Sequence, residues 1–258
     1  MATATVAESN AQKLAGIPGQ FGGGRRSEHL FFSGMAFLIL ATVFLGFART
    51  YFLAGVFHAP LPNLLIQIHG AAFTSWILLL IVQTSLVSAG RVDVHRRLGI
   101  LGFFLACLMV ILGVLAATNA LDREHSPPGL DPKTFYVIPM TDMLIFSTLI
   151  LFAFRSRRNP PAHKRLILIA TIALLIAAIA RWPFAMLLGK PIAAMLVSYI
   201  FLLLLVAYDL WSTRKVHRAT LWASGFLIFV QLVRVPLGST AAWHAFATWT
   251  QSLARPIH

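Results

Sequence analysis

The chain has 258 residues, of which 58% are hydrophobic and only 11% are charged, and its formal net charge is +13. A soluble domain carries about 25% charged residues, so this composition excludes an ordinary soluble protein and indicates an integral membrane protein. The single cysteine, Cys107, excludes a disulfide framework within one chain.

The chain divides into a tail, an apolar region and a second tail. Residues 1–28 are rich in Ala, Gly and Ser and lack hydrophobic periodicity, which predicts a disordered tail. Residues 29–240 contain seven apolar segments, each close to the roughly 20 residues that a helix needs to span a bilayer. We therefore predict an all-α, seven-helix membrane bundle, followed by a short tail at 241–258. The segments lie at about 30–54, 64–88, 98–120, 135–154, 166–189, 191–211 and 219–239.

The basic residues are unevenly distributed along the chain. Fourteen of the 21 Lys and Arg residues fall in the N-terminal tail and in the loops after the second, fourth and sixth segments. Because cytoplasmic loops carry an excess of Lys and Arg, this bias predicts a cytoplasmic N-terminus and an extracytoplasmic C-terminus. The positive charge is then expected to meet anionic lipid at the cytoplasmic face, and no nucleic-acid partner is predicted.

Five ionisable residues on five different segments are predicted to share one depth in the outer half of the bundle. A charged side chain in the centre of a membrane helix costs at least about 2.5 kcal/mol, so we expect these groups to cluster, with Asp142 holding Arg181. Three arginines against one aspartate leave net positive charge, which favours a small anionic or carbonyl-bearing ligand. A purely structural polar cluster is the alternative. The layer consists of Arg49, His69, Asp142, Arg181 and Arg234, joined by Gln67.

A second group of candidate residues lies on the inner side. His95 and His163 are predicted at the mouths of the third and fifth helices, beside basic residues that suit the propionates of haem b. Cations at a helix N-terminus oppose the helix dipole, however, which favours contact with lipid phosphate instead. In a redox protein, His69 would alternatively hydrogen-bond a quinone carbonyl.

Other familiar sites are missing from the sequence. It contains no His-x-x-x-His pair, no Cys-x-x-Cys motif and no Gly-rich phosphate loop, so no metal site built from protein ligands alone is predicted. The acidic loop at 122–133 is better read as a solvated, turn-rich connection than as a metal site.

Four strings resemble a group of uncharacterised bacterial seven-pass membrane proteins: "ARTYFLAG", "IHGAAFTSWILLLIVQTSL", "HRRLG" and "HKRLILIATIALL". The resemblance covers residues 30–240. It implies a bacterial cytoplasmic (inner) membrane and carries over no activity, because none is established for that group.

The sequence leads to three functional hypotheses. The first is a protein that binds or transports a small molecule in the outer polar layer. The second is a membrane redox protein that binds haem b or a quinone. The third is a non-catalytic assembly or interaction subunit. The residues do not decide whether the protein is an enzyme.

Overall fold

The computed structural model describes residues 20–254, with side chains from Arg26 onward, and this part of the chain is helical without β-strands. A π-helical turn, Ala48–Phe52, follows the first helix. Part of the predicted N-terminal tail, residues 1–19, lies outside the described residues, and the remainder belongs to the first helix. The helices are α1 (Gln20–Phe47), α2 (Leu64–Ser88), α3 (Val92–Asp122), α4 (Pro132–Arg155), α5 (Pro160–Ala173), α6 (Leu175–Ile179), α7 (Pro191–Thr213), α8 (Arg218–Gly238) and α9 (Ala241–Ala254).

Seven helical stretches are long and apolar enough to cross a membrane, which confirms the predicted seven-helix fold. α5 and α6 form one of these stretches, interrupted at Leu174, and α9 is too short to be another. Helices suit this environment because each helix satisfies its own backbone hydrogen bonds in hydrocarbon.

Polar caps and prolines fix where several helices begin. The side chain of Asn63 accepts a hydrogen bond from Ile66 N (3.0 Å), and that of Asp131 accepts one from Thr134 N (2.8 Å). The Thr134 hydrogen bonds hold the pKa of Asp131 below its ordinary value. Helices α4, α5 and α7 each begin with a proline. Proline is well tolerated there because the backbone N–H of the first helical residue makes no hydrogen bond within the helix.

Two boundaries differ from the prediction in ways that move candidate residues. The third helix begins at Val92 rather than near 98, so His95 lies within its first turns. The fifth span covers Pro160–Ile179 rather than 166–189, so Arg181 lies beyond its end, in the connection to α7. Apolar composition alone misplaced this span because its first turns are polar.

The spans alternate in direction, so the bundle has two faces. One face holds the start of α1 and the α2–α3, α4–α5 and α7–α8 turns, and we call it the basic face. We call the other end of the bundle the opposite face. α4 packs against α3, α5, α8 and α9, and the span formed by α5 and α6 is the most buried of the seven. At Gly46, α1 approaches the backbone of α6 so closely that a Cβ would lie 2.9 Å from Ala178 Cα.

Candidate functional site

A cavity of about 760 Å³ opens among α1, α2, α3, α4 and α5 at the basic face. Its lining on α2 extends from Val87 up to Trp76, which at 1.5 Å per residue is a depth of about 16 Å. Pockets of about 300–1,000 Å³ are the size that binds cofactors and drug-sized ligands. The cavity is therefore large enough for an organic cofactor.

His95 and His163 both line this cavity and are neighbours in its wall. Each is the fourth residue of its helix, His95 in α3 and His163 in α5, so both lie at the same depth below the basic face. Their ring centres are 6.4 Å apart and the ring planes are nearly perpendicular, at 88°. The structure thus brings together the two histidines that the sequence singled out for haem.

The Nδ1 atom of each ring already has a neighbour. Nδ1 of His163 lies 2.8 Å from the carbonyl oxygen of Ala153, in the last turn of α4, where carbonyls lack a partner within the helix. Nδ1 of His95 lies 2.6 Å from the side-chain amide of Gln83 on α2. In both rings Nε2 is therefore the nitrogen without such a neighbour, and whether it carries the proton depends on what Nδ1 does.

The separation of the rings matches that of two imidazoles on opposite sides of one metal ion. A metal–nitrogen bond of about 2.0–2.1 Å, plus about 1.1 Å from nitrogen to ring centre on each side, places the ring centres about 6.3 Å apart. Residues 26–254 hold no group of three or more His, Cys, Asp or Glu side chains suited to a metal ion. A metal between these rings would therefore need its other ligands from a cofactor.

The walls of the cavity are apolar and aromatic. Phe103 of α3 stacks on Phe154 of α4, with ring centres 4.3 Å apart. Trp76 forms the inner end, where its indole Nε1 donates to Thr171 Oγ1 (3.1 Å) and its ring packs edge-on against Phe146. These contacts hold flat aromatic surfaces around the space beneath the histidines.

The mouth of the cavity is basic. Arg96, Arg157, Arg158 and Lys164 line it, together with the single carboxylate of Glu28. Lys164 forms an ion pair with Glu28, which leaves three arginines as the charged groups near an anionic substituent; Nη1 of one of them, Arg157, already donates to Phe154 O (3.2 Å). An apolar pocket with a cationic rim suits a flat, amphipathic, anionic ligand.

A buried ion pair beside the cavity fixes α5 against α7 and α8. Arg165 donates to Asp209 Oδ1 through Nε (3.0 Å) and Nη2 (2.5 Å). Asp209 Oδ2 accepts from the backbone N–H of His217 (3.0 Å) and from Thr220 Oγ1 (2.6 Å). Arg165, two residues after His163, is therefore buried and paired with Asp209 and does not belong to the basic rim.

Asp142 of the predicted outer layer pairs with Arg234 rather than with Arg181. Arg234 Nη1 donates to Asp142 Oδ1 over 2.7 Å, and both side chains are buried between α4 and α8. The expectation that Asp142 holds Arg181 was wrong because depth along a helix does not reveal which neighbour it faces. One turn before Arg234, the fully buried amide of Gln231 has no hydrogen-bond partner among the described residues.

Arg181 lies at the opposite face and contacts the end of α1. Its Nη1 donates to Ala177 O (2.6 Å), and its guanidinium lies 4.9 Å from the ring centre of Phe47. His69 is close enough to Arg181 for an electrostatic interaction, and its ring stacks on Phe73, with ring centres 4.2 Å apart. Nδ1 of His69 is buried and without a hydrogen-bond partner among the described residues.

The remaining two layer residues have contacts of their own. Arg49 lies in the π-helical turn, exposed, with its guanidinium 5.5 Å from the ring centre of Phe57. Gln67 Nε2 donates to Pro62 O over 2.8 Å. Among the six predicted ligand-binding residues, Asp142 pairs with Arg234 and His69 lies near Arg181, whereas Arg49 and Gln67 contact other neighbours. The single anion pocket predicted from all six stays a prediction.

Sequence reasoning missed Gln83 as the partner of His95 and the aromatic walls around the two histidines. His69, Trp76 and Gln83 are spaced by seven residues, so they lie on one face of α2. This spacing is the sequence signal that could have predicted Gln83 and Trp76 in one cavity wall. A comparison with protein-family models, with curated proteins and with solved structures finds no match to this chain. The resemblance to bacterial seven-pass proteins therefore stays a prediction.

Proposed function

We propose that this membrane protein binds one haem b in the basic-face cavity, with His95 and His163 as the two axial ligands, and that it transfers electrons. The observation that carries the proposal is the 6.4 Å separation of the two ring centres in the lining of a cavity of about 760 Å³. The backbone carbonyl of Ala153 at Nδ1 of His163 supplies the outer hydrogen bond that ligating histidines usually make.

The cavity walls and rim support the same assignment. A porphyrin is flat and apolar except for two propionates, so it would pack against Trp76, Phe103 and Phe154. Its propionates would point to the basic rim, where Arg157 and Arg158 carry the matching charge. Neutral histidines bound to iron also avoid the unfavourable interaction of a cation with a helix N-terminus.

The two axial histidines restrict the chemistry. A haem held by His95 and His163 would supply a one-electron couple at its iron, and the two histidine nitrogens would occupy the positions that oxygen or a substrate needs. Electron transfer is therefore favoured over oxygen activation. Together with the basic residues on this face, the proposal places the haem near the cytoplasmic side of a bacterial inner membrane.

The experiment is to purify the protein from haem-replete cells and to record absorption spectra before and after reduction with dithionite. We expect a Soret band and sharp reduced α and β bands, with one haem per chain by pyridine haemochrome analysis. Electron paramagnetic resonance of the oxidised form should show the strongly anisotropic low-spin signal of perpendicular imidazole planes, given the 88° between the rings.

Variants test the ligands. His95→Ala and His163→Ala should each abolish the low-spin signal, whereas His125→Ala, in the loop at the opposite face, should retain it. Haem-free wild-type protein from haem-replete cells would refute the proposal, as would low-spin haem in both ligand variants. In that case the roles in anion binding and in assembly would be the ones left to test.

A further inference from the structure

The two candidate ligands differ in how their tautomers are fixed. A backbone carbonyl can only accept a hydrogen bond, so Ala153 O requires a proton on Nδ1 of His163 and leaves Nε2 free to bind a metal. The neighbour of His95 is an amide, which can either donate or accept. His95 is therefore the ligand whose state a protein side chain can change.

The surroundings of Gln83 favour one orientation of its amide. With Nε2 turned toward His95, it donates to His95 Nδ1 (2.6 Å) and lies 3.3 Å from His95 O, while Oε1 accepts from Gly99 N (3.0 Å). In that arrangement Nδ1 of His95 is an acceptor, so the proton of the neutral ring resides on Nε2 and blocks ligation.

Rotation of the amide by a half turn gives the opposite tautomer. Oε1 would then accept a proton from Nδ1 of His95, and Nε2 of the ring would be free for the metal. In this orientation Oε1 lies 3.3 Å from His95 O and Nε2 lies 3.0 Å from Gly99 N, so the hydrogen bond from His95 Nδ1–H has to offset two unfavourable contacts, while Gly99 N–H keeps its helical partner, the carbonyl of His95. A Cβ on Gly99 would lie 3.7 Å from Gln83 Nε2, which is an ordinary van der Waals contact.

We propose that Gln83 is a positioning residue that sets the tautomer of His95 and thereby the strength of His95 as an axial ligand. This inference rests on the proposed haem site. An acceptor at Nδ1 makes the imidazole a stronger electron donor, which stabilises oxidised over reduced iron. The amide is a weak acceptor, so a carboxylate in its place should strengthen the effect and an alkyl group should remove it.

The test is a redox titration of the purified holoprotein and its variants. Loss of the outer hydrogen bond of a ligating histidine typically lowers metal affinity about 10–100-fold. A tenfold change in the ratio of affinities for oxidised and reduced iron corresponds to about 59 mV in the midpoint potential of a one-electron couple. We expect Gln83→Glu to lower the midpoint potential by about 59 mV or more, and Gln83→Leu to raise it. The matched control is Gln67→Leu, on the same helix, whose amide donates to Pro62 O far from the cavity.

The outcomes separate this inference from the proposed function. Wild-type protein without haem overturns the haem assignment itself. Wild-type protein that binds haem, with Gln83→Glu at the same potential as Gln67→Leu, overturns only the role of Gln83. If Gln83→Leu takes up no haem, the potential of Gln83→Glu decides the matter.

Discussion

Replacement of Asp209 by asparagine should destabilise the protein more than any exposed charge substitution. Asp209 has no exposed side-chain surface and accepts hydrogen bonds from Arg165, His217 and Thr220. Asparagine keeps the shape but removes the charge, so Arg165, 5% exposed, is left as a buried cation without its counter-ion.

The magnitude follows from the burial of the pair. Breaking a buried ion pair by removing one partner costs about 3–5 kcal/mol. For a chain of this size, 1 kcal/mol corresponds to about 2–4 °C in unfolding temperature, so we expect a decrease of about 6–20 °C. Thermal unfolding of the detergent-purified protein, followed by circular dichroism and by Trp fluorescence, measures it.

Two further variants make the reasoning refutable. The exposed pair of Arg91 and Asp93, 3.7 Å apart, is the matched control, and Asp93→Asn should cost about 1 kcal/mol or less. The double variant Arg165→Met, Asp209→Leu should regain most of the loss, because it leaves no buried charge unpaired. An Asp209→Asn variant as stable as Asp93→Asn, or a double variant less stable than either single one, would refute this account.

Three further predictions concern a close helix contact, a helix cap and a second buried ion pair. Gly46→Ala should lower the unfolding temperature because a Cβ there meets the backbone of α6, whereas Gly34→Ala, with no atom within 4 Å of its Cβ, should not lower it. Burial lowers the pKa of His217, whose Nδ1 accepts a hydrogen bond at the start of α8 only when the ring is neutral. The free energy of unfolding should therefore fall as the pH drops below about 6.5. His217→Asn keeps a capping side chain that does not titrate, so unfolding curves of this variant should depend less on pH. Asp142→Asn should destabilise the fold because it leaves Arg234 buried and unpaired. If the pairing matters, the double variant Asp142→Arg, Arg234→Asp should have a higher unfolding temperature than either of its single variants. An equal loss of unfolding temperature in the two single variants and the double variant would argue against the pairing.

The seven spans could be predicted because each contains an apolar run long enough for a bilayer. The exact first residue of a span could not be predicted where the helix begins with polar residues. The fifth span begins six residues before its apolar run, since Pro160 starts the helix and Arg165 pairs with Asp209 inside the protein. Hydropathy assigns such polar residues to a loop, although a partner on another helix offsets the free-energy cost of burying them.

The candidate sites were predicted unevenly for a related reason. Sequence gives the depth of a side chain along a span but not the direction in which it points around the bundle. His95 and His163 occupy equivalent positions on helices that share one cavity, so they meet. Asp142 and Arg181 were expected at one depth, yet α4 faces α8 there, and the contact goes to Arg234.

The C-terminal helix α9 has a consequence for how the chain is assembled in the membrane. It lies across the ends of α3 and α4, where Trp243 Nε1 donates to Lys133 O (2.8 Å) and Lys133 Nζ donates to Thr248 Oγ1 (2.8 Å). Because α9 follows α8 in the chain, the hairpin of α3 and α4 must wait in the bilayer without this cover until three further spans and α9 have been translated. Premature termination after α8 would therefore yield a fully inserted protein with an exposed seam, which quality-control proteases could recognise.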